Sequence, residues 1–173
     1  MSRAVIANII RFIGILLVQG LVLKRVSMGW EDFPYVHILL YPIFILLLPF
    51  RTPRPLVILL AFAMGMLVDL FYNTPGIHAS ASVFTAFIRP LILYRLEPRG
   101  GYTAAHAPNR NKMGWNWFLR YASFLMALHL FFYFSVESFT FVYIVTILLK
   151  TIFSFLASML FVLFFMQVFN PKE

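Results

Sequence analysis

The sequence predicts an all-α membrane protein with about six transmembrane helices, and its composition, apolar runs and charge distribution all point this way. Of its 173 residues, 62% are hydrophobic and 12% are charged, whereas soluble domains average about 45–50% and 25%. A core of this size cannot bury so much apolar surface, so lipid must solvate the remainder. Residues 1–173 are therefore predicted to form a single polytopic membrane domain with no separate soluble module.

Six apolar runs approach the ~20 residues with which a helix crosses ~30 Å of hydrocarbon. They lie at 5–23, 35–50, 56–71, 77–96, 117–136 and 140–169. The first run lacks a small-residue cleavage site before Lys24, so it is interpreted as a retained helix and not as a signal peptide. The last run would make about 45 Å of helix. Either it tilts strongly, or 139–149 follow the outer interface and Thr151–Phe169 spans; the second is preferred because it places Lys150 near headgroups.

The charge distribution predicts the orientation of these spans. The net charge is +8, but the basic residues flank apolar runs and form no stripe or tail, so nucleic acid is not an expected partner. Six spans place both termini and the polar 97–116 loop on one side. That side then carries Arg3, Arg11, Arg51, Arg54, Arg95, Arg99, Arg110, Lys112, Arg120 and Lys172, against Lys24 and Arg25 opposite. The positive-inside rule makes the termini and this loop cytoplasmic.

The chain shows no recognisable catalytic or metal-binding pattern. Cysteine is absent, and no zinc-helix or nucleophile-turn motif occurs. Most acidic residues fall in loops or at the tail, so paired carboxylates would require Asp69 and Glu137 to meet. The four histidines have no ligand spacing and are predicted to be structural: His37, His78, His106 and His129. We therefore expect no enzyme activity, cofactor or metal.

Residues 51–96 predict a hairpin of two closely packed antiparallel helices. Prolines precede the first helix, a small-xxx-small pair lies within it, and a Pro-Gly turn leads into a second helix that opens with small residues. The residues that define the pattern are Ala61, Gly65, Asp69, Pro75, Gly76 and His78.

Asp69 has two interpretations of similar weight. It staples the hairpin by accepting from the first amides of the second helix, from the 73–74 turn or from Lys150, or else it faces a partner or a cavity. A bridge to Arg89 is not expected, because Arg89 lies ~15 Å further down the returning helix. Arg89 is expected to snorkel to the cytoplasmic headgroups or to bond carbonyls freed near Pro90.

The pattern as a whole resembles the MreD family, small polytopic rod-shape-determining proteins of the bacterial inner membrane. The resemblance rests on G-x-x-x-D-L at 65–70, the Pro75–Gly76 turn, His78-Ala79 and Arg89-Pro90, and it covers 10–96, whereas the last two helices match only in length and apolar character. It implies the fold of the six-helix substrate-binding subunits of energy-coupling-factor transporters. It also implies partners: the MreB filament system, an MreC-like protein, a RodA-type glycosyltransferase and a class B penicillin-binding transpeptidase.

The resemblance favours a non-enzymatic scaffold of the cell-elongation machinery. The alternative is a vitamin-type binding subunit of a transporter, with Asp69, Asn73, His78 and His37 lining a pocket at the outer end. A weaker third hypothesis is lipid handling, with Arg89 gripping an anionic headgroup.

Overall fold

A computed structural model of the chain describes residues 3–28, 35–102, 108 and 110–169. No β-strand occurs in these residues, so the all-α prediction is confirmed. The α-helices, in chain order, are α1 (Arg3–Leu17), α2 (Lys24–Met28), α3 (Pro42–Leu46), α4 (Arg54–Tyr72), α5 (Ile77–Arg95), α6 (Arg110–Met113), α7 (Trp115–Ser138) and α8 (Ile144–Val168). A π-helical segment, Val18–Leu23, joins α1 to α2, and a 3₁₀ turn, Phe141–Tyr143, leads into α8.

Within the described part of the chain, five helices are long and apolar enough to cross a membrane. They are Val5–Val26, α4, α5, α7 and α8. These helices indicate a multi-pass membrane protein. The last predicted run does not divide at Thr151, because α8 is one helix of 25 residues from Ile144 onward, or about 37 Å.

The predicted span 35–50 contains no helix of membrane-spanning length, and this corrects the expectation of six helical spans. Residues 36–40 have no regular secondary structure and only the five residues of α3 are helical. Every residue from Ile38 to Leu48 is buried, and all of them except Pro42 are known to be at most 4% exposed. A continuous apolar run fits a lipid-facing helix and a fully buried segment equally well. Here the run is an internal segment, 35–48, surrounded by the other helices.

The internal segment runs from one end of the bundle to the other. We call the end with the 73–76 connection the turn end; there the Lys24 ammonium donates to the carbonyl of Phe71. At the opposite end, the loop end, Arg89 donates to the carbonyl of Leu48. Among the described residues, five long helices and this segment therefore run between the two ends of the bundle.

Both described chain ends lie at the loop end. The Arg110 guanidinium donates to the Gln167 side chain near the end of α8, and a groove brings Ala7 of α1 beside Phe165 and Phe169. This arrangement is the one that an even number of traverses requires. On the described chain, the basic residues of the 51–54 and 95–99 connections also lie at this end.

Candidate functional site

The 73–76 connection joins α4 to α5 through two residues with left-handed backbone. Asn73 has φ 55° and closes α4 by donating its amide to the carbonyl of Asp69, while Gly76 has φ 88° and precedes α5. Asparagine and glycine are the residues that adopt positive φ at least cost. The exposed Pro75 between them has a fixed φ, which stiffens the turn. The predicted Pro75–Gly76 turn thus lies between the two helices.

Asp69 is 3% exposed and accepts hydrogen bonds from the first turn of α5. Its Oδ2 accepts from the amides of Gly76 and Ala79, each at 3.0 Å, and its Oδ1 accepts from the amide of His78 at 3.0 Å. Thr74 Oγ1 and His78 Nδ1 also lie 3.0 Å from Oδ1. A carboxylate in this position satisfies amides that have no partner within their own helix and faces the positive end of the helix dipole.

The hydrogen-bond partners of Asp69 match the interpretation in which its carboxylate fixes the hairpin. It contacts the α5 amides and Thr74, and no described contact joins it to Lys150, Arg89 or Glu137. Lys150 instead pairs with Glu137, with 2.7 Å between Nζ and Oε2, and both side chains are partly exposed. The Asp69 carboxylate therefore joins α4 to α5, and Glu137 is paired with Lys150.

Gly65 allows the two hairpin helices to approach within backbone contact. A Cβ built at Gly65 would lie 2.5 Å from the Cα of Ala79 and 2.6 Å from the carbonyl oxygen of His78. Neither backbone atom can move without moving α5. Ala61, one turn earlier on α4, is fully buried as well. The small-xxx-small pair thus sets the distance at which Asp69 can reach the α5 amides.

Of the two expectations for Arg89, snorkelling is wrong; Arg89 does bond a backbone carbonyl, but that of Leu48 and not one near Pro90. The residue is 4% exposed, with Nε donating to the hydroxyl of Tyr121 at 2.9 Å and Nη2 donating to the carbonyl of Leu48. Tyr121 in turn donates to the carbonyl of Leu46 at 3.0 Å. The carbonyls at the end of the internal segment lack helical partners, and Arg89 and Tyr121 supply donors to them. Arg89 thus lies at the loop end, well away from the Asp69 cluster.

The internal segment is held by side chains in place of a helical ladder. Gln19, in the π-helical segment, is fully buried; its Oε1 accepts from the amides of Leu40 (2.7 Å) and Tyr41 (3.2 Å). Its Nε2 donates to the carbonyl of Ile38 at 3.1 Å and to the Tyr72 hydroxyl at 2.7 Å. Non-helical backbone at membrane depth is tolerated only where protein groups satisfy it.

Two serines of α8 also form hydrogen bonds with the backbone of the internal segment. Ser154 Oγ accepts from the amide of His37 at 2.8 Å and donates to the carbonyl of Tyr35 at 3.1 Å. Ser158 Oγ accepts from the amide of Leu39 at 2.9 Å and lies 3.3 Å from the carbonyl of His37. The i, i+4 spacing of the serines places both on one face of α8. Their hydroxyl groups there take the place of the backbone partners that a neighbouring strand would supply.

A cluster of histidines and tyrosines lies between the hairpin and α7. It is here called the polar core and consists of His78, His129, Tyr41, Tyr72 and Tyr133. Thr85 Oγ1 donates to the carbonyl of Ala81 at 2.9 Å, so its contact of 2.8 Å with His129 Nδ1 requires that nitrogen to donate. His129 Nε2 then accepts from the hydroxyl of Tyr41 at 2.7 Å. His129 is accordingly neutral, and its two hydrogen bonds join α5, α7 and the internal segment.

His78, a member of the polar core, has a ring nitrogen without a hydrogen-bond partner among the described residues. Its Nδ1 faces Asp69, and its ring lies 4.8–5.6 Å, centroid to centroid, from the rings of Tyr41, Tyr72 and Tyr133. In the described residues three buried polar side-chain atoms have no hydrogen-bond partner: His37 Nδ1, His78 Nε2 and Ser82 Oγ. No group of three or more metal-ligating side chains occurs in the same residues. His106 of the sequence analysis lies outside them.

Sequence reasoning singled out the hairpin and missed most residues that hold the internal segment. A lone amide such as Gln19 in an apolar run is a signal for a buried hydrogen-bonding partner, and the Ser154–Ser158 spacing is a weaker one. Comparison of the chain with known protein families, with characterised proteins and with solved structures gives no match. The site is therefore interpreted from its own geometry.

Proposed function

We propose that the protein is a non-enzymatic membrane scaffold of the bacterial cell-elongation machinery, as the resemblance of 10–96 to MreD implies. It helps to couple MreB filaments and an MreC-like protein to a RodA-type glycosyltransferase and a class B penicillin-binding transpeptidase in the inner membrane. The observation that carries the proposal is how the resemblance residues are used: Gly65, Asp69, Gly76 and His78 all serve to close one hairpin.

The charge at the two ends of the bundle supports a cytoplasmic loop end. The loop end carries Arg51, Arg54, Arg95 and Arg99 on the described chain, whereas at the turn end Lys150 is neutralised by Glu137. An excess of Arg and Lys marks the cytoplasmic face. In this orientation the basic surface faces MreB filaments, and the Asp69 hairpin faces the side on which peptidoglycan is made.

A groove between α1 and α8 is the place that we assign to a partner's transmembrane helix. It has a volume of about 590 Å³ and its walls are almost entirely apolar, with Leu40 of the internal segment among its lining residues. Ala7 and Gly14, one heptad apart, lie on its α1 wall. Small residues let a second helix approach closely. The MreC-like partner that the resemblance implies has a single span, which is the element that such a groove accommodates.

The test is Gly14→Leu in the tagged protein, purified from its native host in mild detergent. Gly14 lines the groove and a Cβ there meets no atom within 4 Å, so a leucine side chain starts in open space and occupies the groove. Leu70→Phe is the control, because Leu70 is 71% exposed on another surface. We expect Gly14→Leu to lose the MreC-like partner from the co-purified proteins, to round the cells, and to keep the wild-type melting temperature.

Two results would contradict the proposal. One is recovery of the MreC-like and synthase partners at wild-type levels with Gly14→Leu, which would remove the groove from the interface. The other is recovery of a paired ATPase and a coupling subunit in place of these partners, which would identify a transporter subunit.

The transporter alternative has one observation in its favour, the buried polar atoms without a hydrogen-bond partner. Among the described residues these are His78 Nε2, Ser82 Oγ and His37 Nδ1, and hydrogen bonds to a few such groups orient a small ligand in an apolar site. A thermal-stability screen with vitamins separates the two functions. A scaffold gives no shift with any vitamin, whereas a binding subunit gives a shift that His78→Phe abolishes.

A further inference from the structure

A cavity of about 280 Å³ opens at the loop end, between the start of α4 and the second half of α5. Arg54, Val57, Ala86, Arg89, Leu93 and Glu97 are among its lining residues. It is distinct from the polar core, and no residue of the Asp69 cluster lines it. Arg89 lies six residues before the end of α5, or about 9 Å along the helix. The cavity thus lies within about two helical turns of the loop end of α5.

Arg89 presents a buried, incompletely used guanidinium to this cavity. The residue is 4% exposed, and its Nε and Nη2 are bonded to Tyr121 and Leu48. Nη1 makes no hydrogen bond to any described residue, and it is not one of the fully buried atoms without a partner, so it is the nitrogen that the cavity can reach. No carboxylate lies within salt-bridge distance of it among these residues. A buried cation without a counter-charge is costly. An anion in the cavity would supply both the charge and the missing acceptor.

The rim of the cavity adds further donors. Arg54 is the first residue of α4, and the side chains of Arg54 and Thr52 make no hydrogen bond to another described residue. The positive end of the α4 dipole points the same way. The Tyr102 hydroxyl is not available as a donor to an anion, because it donates to the carbonyl of Leu93 at 2.8 Å. Burial raises the pKa of Tyr102 to about 12, and the hydroxyl keeps its proton at physiological pH.

The cavity also contains acceptors, which fit a polar group attached to the anion. Pro90 has no amide hydrogen, so the carbonyl of Ala86 lacks its helical partner, and both residues line the cavity. Glu97 adds a carboxylate at the opening. Val57 and Leu93 provide apolar wall beside these groups. Guanidinium groups and a hydroxyl on one side, with acceptors on the other, match a phosphate that carries a hydroxylated or amine-bearing headgroup.

We propose that the loop-end cavity binds the phosphate group of a membrane phospholipid, with Arg89 as the buried donor and Arg54 and Thr52 as rim donors. The bound lipid fills the space between the 50–54 connection and α5 and neutralises Arg89. This role is independent of the scaffold proposal, since it needs no protein partner.

The test uses the purified full chain in mild detergent, with native mass spectrometry for retained lipid and thermal unfolding for stability. The probes are phosphatidylglycerol, the diacylglycerol with the same acyl chains, and inorganic phosphate. We expect phosphatidylglycerol to be retained and to raise the melting temperature, and diacylglycerol to do neither. Inorganic phosphate distinguishes the source of the group. A shift with phosphate alone would show that a soluble phosphate also fits, and no shift would restrict the site to lipid.

The variants are Arg54→Gln and Thr52→Val, because Arg89 itself holds Leu48 and its removal risks misfolding. Loss of one charge-assisted contact should weaken retention about tenfold in Arg54→Gln, with a smaller loss in Thr52→Val. Arg51→Gln, an exposed arginine in the same connection that does not line the cavity, is the matched control and should bind as wild type. Equal retention of diacylglycerol, or equal weakening by Arg51→Gln and Arg54→Gln, would overturn the proposal.

Discussion

Replacing Gln19 by methionine tests whether side chains hold the internal segment. Methionine keeps the length and flexibility of glutamine but has no amide group. The amides of Leu40 and Tyr41 then lose the oxygen that they share, and both residues are at most 4% exposed. Leaving a buried donor unsatisfied costs about 1–3 kcal/mol. The variant should therefore lose about 2–6 kcal/mol of the free energy of unfolding, two such penalties.

The assay is equilibrium unfolding in mild detergent titrated with SDS, for wild type, Gln19→Met and Leu16→Met. Leu16 lies one turn earlier on the same helix and packs against the core without a polar role, so its exchange should cost less than about 1.5 kcal/mol. The lower bound for Gln19→Met corresponds to a fall of about 4–8 °C in melting temperature. A loss below about 1 kcal/mol, or no difference from Leu16→Met, would refute the account of the internal segment.

Three further predictions concern the hairpin and the turn end. Asp69→Ala should destabilise by about 2 kcal/mol or more, since two buried α5 amides lose their acceptor, and Asp69→Asn should cost less in the same titration because one acceptor oxygen remains. Gly65→Ala should cost about 1–3 kcal/mol by forcing the hairpin helices apart, whereas Gly14→Ala should be neutral or slightly stabilising; equal effects would contradict the packing argument. The double variant Lys150→Met with Glu137→Gln should change stability by less than about 1 kcal/mol, because the pair is partly exposed.

The hairpin could be predicted from the sequence because each of its signals is local. A small-xxx-small pair, a Pro-Gly turn and an aspartate one turn before the helix end all act within about fifteen residues, and they predict the contacts that Asp69 makes. Its two interpretations could be separated only by the structure, because whether the carboxylate meets the α5 amides or faces a partner or a cavity depends on how the helices pack.

The internal segment and the role of Arg89 could not be predicted in this way. The apolar residues at 35–50 are compatible both with a lipid-facing helix and with a buried segment that is mostly not helical. The difference lies in contacts across the bundle, such as Ser154 with His37, over 117 residues of sequence. The sequence predicts that Arg89 snorkels or bonds carbonyls freed near Pro90. The carbonyl that it bonds belongs to Leu48, and this carbonyl is free only because the segment is not a helix.

The internal segment also constrains how the protein is made. Residues 35–48 leave the ribosome early, whereas Arg89, Tyr121, Ser154 and Ser158, which satisfy their backbone, are synthesised later. Until α8 has packed against it, the segment cannot adopt its native non-helical conformation in lipid without exposing unpaired amides. Biogenesis must therefore shelter it, or let it insert first as a provisional helix that unwinds when the C-terminal half docks. The native bundle is consequently completed only after α8 has been synthesised, because Ser154 and Ser158 supply the last of these hydrogen bonds.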